Sequence, residues 1–156
     1  MVTVGDIAPN FQAYDDSGNP FELAQLRGRW VVLYFYPKDN TPGCTREACS
    51  FRDAWAGFER LGAEIIGVSP DSVASHARFK QRYGLPFRLI SDPGGAIAQH
   101  YGVWKERVLY GRRSMGVERT TFVIDPEGVV RAVFPKVRVE GHAEEVLQMV
   151  ERLQQQ

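Results

Sequence analysis

At 156 residues the chain suits one compact domain that needs no disulfide or metal to fold, since a protein of this size buries roughly 70% of the surface its unfolded chain exposes. Nineteen basic and nineteen acidic side chains cancel to a formal charge of zero, which argues against a nucleic-acid partner. The longest apolar run, Trp30 to Tyr36, is far shorter than the ~18 residues that read as a membrane span, and the first residues lack a basic segment leading into an apolar one, so a cytoplasmic protein with no membrane partner is expected.

Phe11 to Tyr14 reads as a short strand, followed by a turn over Asp15-Asp16-Ser17-Gly18-Asn19-Pro20. Trp30 to Tyr36 is apolar without alternation, the pattern of a central strand buried on both faces, and Pro37 ends it. Thr45 to Leu61 carries Ala48, Phe51, Trp55 and Phe58 at helical spacing. A second buried strand covers Ala63 to Val68. Ser72 to Tyr83 reads as a helix closed by Gly84, and Phe87 to Ile90 as a third strand. Ala96 to Tyr101 is a short helix ending at Gly102. Thr120 to Ile124 and Val129 to Phe134 flank Asp125-Pro126-Glu127-Gly128 as a hairpin expected at an antiparallel edge. His142 to Leu153 forms the last helix, with Val146, Leu147, Val150 and Leu153 on one face. This order predicts an α/β fold, a central mixed sheet flanked by helices, similar to the thioredoxin-like fold. No repeat, low-complexity tract or Gly/Ser linker divides the chain, so a single domain over residues 1–156 is expected.

The two cysteines, Cys44 and Cys49, lie where a buried strand runs through a loop into a helix. Thr41 followed by Pro42 is a helix-start signal, with Thr41 as N-cap and Pro42 at the first helical position. Cys44 then falls in the first turn, where unused backbone N–H groups and the positive end of the helix dipole favour thiolate over thiol. Five residues along a helix separate the two Cα atoms by about 8.7 Å, whereas a disulfide needs less than about 7 Å. A Cys44–Cys49 bond therefore requires the first turns to unwind. A dithiol exchange enzyme would carry Cys-x-x-Cys. A structural zinc site needs about four ligands, and two cysteines with His76, His100 and His142 offer no recognisable set, so no metal is expected. The three histidines read as surface or helix-packing residues. Glu47 reads equally well as a solvated helix residue or as one that orders the loop and assists proton transfer. Trp104 and Tyr110 are apolar residues that would favour organic substrates if they neighbour Cys44.

Tyr36-Pro37-Lys38-Asp39-Asn40-Thr41-Pro42-Gly43-Cys44-Thr45, followed by Glu47-Ala48-Cys49 and Phe51-Arg52-Asp53, resembles the bacterioferritin-comigratory-protein (peroxiredoxin Q) branch of the peroxiredoxins. The likeness extends over nearly the whole chain, through Gly5-Asp6-Ile7-Ala8-Pro9 near the start and Gly116 to Asp125 later. It implies reduction of hydrogen peroxide and organic hydroperoxides. Cys44 is then the peroxidatic cysteine and Cys49 the resolving one, with Thr41, Pro42 and Arg119 completing the site. Backbone N–H groups of Gly43 and Cys44, with Thr41 and Arg119, would hold the peroxide. The resemblance also implies recycling by a thioredoxin-like dithiol protein. No haem, flavin or nicotinamide is called for, and no Gly-x-Gly-x-x-Gly fingerprint is present. Zero net charge leads to the expectation of a monomer.

Overall fold

The first strands, β1 (Gln12–Asp15) and β2 (Pro20–Glu22), pair antiparallel, and the Asp15 carboxylate closes their turn by accepting from the N–H groups of Ser17 and Asn19 at 2.9 Å. The computed structural model describes residues 1–156, the Leu109 side chain apart. A 3₁₀ turn at Leu23–Leu26 leads to β3 (Trp30–Phe35). Helix α1 (Pro42–Arg60), strand β4 (Ala63–Ser69), helix α2 (Val73–Tyr83) and strand β5 (Arg88–Ser91) follow. Then come α3 (Ala96–Tyr101), the hairpin β6 (Trp104–Leu109) and β7 (Arg112–Val117), β8 (Thr120–Ile124), β9 (Val130–Phe134) and α4 (His142–Gln154).

Seven strands form one sheet in the order β2-β1-β5-β4-β3-β8-β9. β3, β4 and β5 run parallel. β8 lies antiparallel beside β3, and β9 beside β8. This is the thioredoxin-like architecture that the order of elements predicts. The late hairpin does not sit wholly at the edge: β8 is an inner strand and only β9 is terminal. The opposite edge is the β1–β2 hairpin, whose second strand is too short for a periodic signal. The β6–β7 pair, a separate two-stranded sheet, also escaped the sequence pattern. Its residues Lys105, Arg107, Arg112 and Arg113 are exposed, so it carries little of the apolar repeat by which strands are recognised.

Because side chains alternate across a strand, β3 supplies two cores. Val31, Leu33 and Phe35 face α3 with Phe122, Ile124 and Tyr101. Val32 and Tyr34 face the other way, into a layer with Cys44, Ala48, Phe51, Phe58, Phe79 and Val146, beneath α1, α2 and α4. α1 and α4 approach closely at Gly57, where an added Cβ would stand 2.9 Å from a Leu147 methyl. α2 ends as expected at Gly84, whose φ of 61° is the left-handed conformation of a helix C-cap.

Candidate active site

The loop from β3 to α1 is tied at almost every residue. Tyr36 donates from its backbone N–H to Val68 (3.0 Å), and its hydroxyl donates to Asp39 Oδ1 (2.6 Å). Thr41 is the N-cap, with extended backbone (φ −84°, ψ 155°), and Pro42 is the first helical residue. The Thr41 hydroxyl does not cap the helix by accepting a hydrogen bond. It donates instead to the Lys38 carbonyl at 2.9 Å, while the Thr41 carbonyl receives Thr45 N–H at 2.9 Å. Pro42 itself is exposed.

Cys44 lies in the first turn of α1 and is 1% exposed. Arg119 reaches it from the short link between β7 and β8. Its Nη2 stands 3.4 Å from Cys44 Sγ, and its Nη1 donates to Glu47 Oε1 at 2.6 Å. The backbone at Arg119 is fixed by its carbonyl, which accepts from Val137 N–H at 2.9 Å. Gly43 gives the guanidinium its space: a Cβ there would lie 3.2 Å from Arg119 Nη2. Sequence spacing alone does not bring residues 75 positions apart together; the β8–β3 pairing does.

Glu47 is buried, with a side chain only 1% exposed against 16% for Arg119. Sequence left solvation open for it, yet its position three residues after Cys44 puts it on the stripe that also carries Ala48 and Phe51. That stripe was the available signal. Burial pushes the Glu47 carboxyl up to about 7, against the pull of Arg119. Burial also opposes the charge on Arg119, but Glu47 and Cys44 outweigh it and hold the guanidinium above the usual arginine range. Both shifts are upward, but the one at Glu47 disfavours its charge and the one at Arg119 favours it, because Glu47 is the more deeply buried partner. The second oxygen of Glu47, Oε2, is buried with no hydrogen-bond partner among the described residues.

Cys49 also lies on α1, partly exposed, and both cysteines are free thiols. The intact helix thus keeps them apart, as the spacing requires. Trp104 packs into the opposite core, and Tyr110 is 95% exposed at the tip of the β6–β7 hairpin, so neither adjoins the cysteine. Of the histidines, His100 is exposed. His142 is buried, with Nε2 2.8 Å from the Thr121 hydroxyl, and burial pushes it below the usual histidine range. His76 is fully buried beside Asp39, at 2.7 Å. Asp39, Asp71 and His76 bring three ligand-type atoms within 4.8 Å of one another. Hydroxyl and N–H donors from Tyr36, Ser69, Ser75 and the Asp39 backbone already occupy these carboxylate oxygens, so the cluster is built as a hydrogen-bond network rather than a cation cage. This polar cluster is the feature that sequence reasoning missed. Asp39 lies more than thirty residues from Asp71 and His76, so the three leave no spacing motif.

The arrangement presents a sulfur in the first turn of a helix with a guanidinium against it, two features of the kind that suit nucleophilic cysteines. Residues 4–133 match the AhpC/TSA family. Peroxiredoxin Bcp of Bacillus subtilis is 46% identical over 147 residues, covering 94% of both chains. The chloroplastic peroxiredoxin Q of Oryza sativa subsp. japonica is 42% identical over 153 residues, covering 97% of this chain and 68% of the relative. Among solved structures, the bacterioferritin comigratory protein of Xanthomonas campestris, studied for alkyl peroxide reduction, superposes with a TM-score of 0.90 at 38% identity, covering 97% of each chain. A cysteine-to-serine variant of Xylella fastidiosa PrxQ gives a TM-score of 0.92 at 36% identity, with the same coverage.

Proposed function

This chain belongs to the AhpC/TSA family and is a peroxiredoxin, a thiol peroxidase, and we propose that it reduces hydrogen peroxide and organic hydroperoxides through a Cys44 sulfenic acid resolved by Cys49. The observation that carries this reading is the guanidinium of Arg119 at 3.4 Å from the Cys44 sulfur, braced by Glu47. Arg119 is permanently charged and offers fixed donors, so it favours the thiolate before reaction and the anion that grows on the leaving oxygen during it.

In the first step the Cys44 thiolate attacks one peroxide oxygen. The S–O bond forms as the O–O bond breaks, leaving sulfenic acid and a hydroxide or alkoxide that takes up a proton. The first-turn N–H groups of Gly43 and Cys44, with Thr41, complete the oxygen-binding surface. Pro42 keeps the turn rigid. Glu47 holds Arg119 in register, and its unpartnered Oε2 is a local proton acceptor. In the second step the first turns of α1 unwind and Cys49 attacks the sulfenic sulfur. A disulfide forms and water leaves. A thioredoxin-like dithiol protein then reduces that disulfide and is itself oxidised. The attacking and resolving thiols share one helix, so a monomer is sufficient, and the reducing cytoplasm is the compartment where this cycle would run. In this cycle the protein's own thiols and side chains carry the peroxide-reducing and resolving steps, and the two electrons come from the dithiol protein.

Intact-mass measurement after one equivalent of hydrogen peroxide tests the reading. The expected results are a loss of about two mass units in the wild type, one added oxygen in Cys49→Ser, and no rapid change in Cys44→Ser. A Cys44→Ser variant that reacts as fast as the wild type would refute it.

A further inference from the structure

Two halves of the cysteine segment are held in different ways. Upstream of the helix, Asp39 is 7% exposed and anchors the loop to the layer beside it. Its carboxylate accepts from the Tyr36 hydroxyl (2.6 Å) and the Ser75 hydroxyl (2.8 Å) and lies 2.7 Å from His76 Nδ1. Its own N–H donates to Asp71 Oδ2 at 2.8 Å, and Asp71 is held in turn by the Ser69 hydroxyl at 2.6 Å. The far side of the His76 ring meets the Ile90 carbonyl at 3.0 Å. The loop is thereby tied to α2 and to the ends of β4 and β5. The next residue, Asn40, has a left-handed backbone (φ 64°) that non-glycine residues rarely adopt, and its side chain accepts from the Tyr83 hydroxyl at 3.2 Å. Downstream, from Pro42 to Cys49, the polar tertiary contacts among the described residues are those of Arg119 with Cys44 and Glu47.

We propose that Asp39 is a positioning residue, clamped by His76, Ser75 and Tyr36, which fixes the upstream end of the helix and confines its unwinding to residues from Thr41 onward. This rests on the Cys44–Cys49 resolution described above. A fixed upstream end does two things. It keeps Thr41, Gly43 and Cys44 in register with Arg119 for attack on the peroxide, where small misplacements are costly. It also makes the helix give way only at its first turns, so each resolution event returns to the same starting geometry. None of the clamp residues touches the sulfur, so its influence is exerted through the loop.

The test separates the two chemical steps by rapid-mixing fluorescence and quenched intact mass, using the full chain with Asp39→Asn, Ser75→Ala and His76→Gln. Loosening the clamp lowers the rate constant of sulfenic acid formation by about tenfold and raises the rate constant of disulfide formation several-fold. Ser75→Ala, which removes one hydroxyl donor at the surface end of the network, shows the same opposed changes at smaller size and keeps the test open if the other variants fold poorly. A residue that merely supports the fold would leave the ratio of the two rate constants unchanged, and that result, or a fall in both together, overturns the proposal. If the wild type itself forms no Cys44–Cys49 disulfide, the resolution reading falls and the clamp proposal with it. A normal wild type with an unchanged ratio in the variants removes the clamp alone.

Discussion

The two faces of the central sheet are built from the same strands by different rules. On the α3 face, Leu33, Phe35 and Phe122 are fully buried, and Phe122 packs edge-on against Tyr101 with ring centroids 5.2 Å apart. The polar groups there are satisfied: Tyr101 donates to the Pro9 carbonyl at 2.6 Å, and the buried Asp92 carboxylate accepts from the N–H groups of Ile97 and Ala98 at 2.9 and 3.0 Å. On the face beneath α1, α2 and α4, the apolar layer is interrupted by Cys44, Glu47, Asp39, His76 and His142, all buried. Among the described residues, Tyr34 Oη and Glu47 Oε2, two of the buried side-chain atoms without partners, belong to this face. An unpaired buried polar atom costs stability. The contrast teaches that one face carries the stability that lets the other hold ionisable groups around the sulfur.

The largest effect should come from cutting the apolar face. Phe122→Ala is expected to destabilise the protein by about 3–5 kcal/mol in urea unfolding, while the peroxide rate constant of the folded fraction stays within about twofold. A large loss of rate at full folding would end the division between faces. Next, Arg119→Ala should lower the rate constant with hydrogen peroxide by about 10²–10³-fold and move the unfolding midpoint far less than Phe122→Ala does. Equal losses of stability in the two variants would contradict the comparison.

Glu47 gives a pH-dependent form of the same contrast. Its folded carboxyl titrates near 7, above the ordinary 4.5, so between those values the folded state binds more protons than the unfolded state, and stability falls as pH rises through that window. Urea unfolding from pH 4 to 8 should show this decline in the wild type and a flatter profile in Glu47→Gln. An identical slope in both would mean that burial does not control this carboxyl. The smallest effect is the most diagnostic. Gly43→Ala lies in the first turn of α1 with ordinary helical backbone, so it should gain up to about 1 kcal/mol from helix propensity. It should also lose rate several-fold, because the new Cβ meets Arg119 at 3.2 Å. A thermal melt and a peroxide assay on one sample would read both. A gain in stability without loss of rate would show that the guanidinium yields freely.

Much of this molecule is written in local pattern. The unbroken apolar run at Trp30 to Phe35 demands burial on both faces, and β3 is indeed central, between β4 and β8. Thr41-Pro42 marks the start of α1, which sets Cys44 in its first turn, and the five-residue step to Cys49 keeps the thiols apart in an intact helix. These features depend on neighbours in the chain, so composition and spacing determine them. Arg119 could be named only through a family motif. Its meeting with Cys44 depends on β8 running antiparallel to β3, a pairing between segments 85 or more residues apart. Burial of Glu47, the Asp39–His76 clamp and the placing of Trp104 on the opposite face were likewise decided by tertiary structure. Side-chain burial and long-range hydrogen bonds arise from which surfaces are pressed together, and local periodicity carries no record of that.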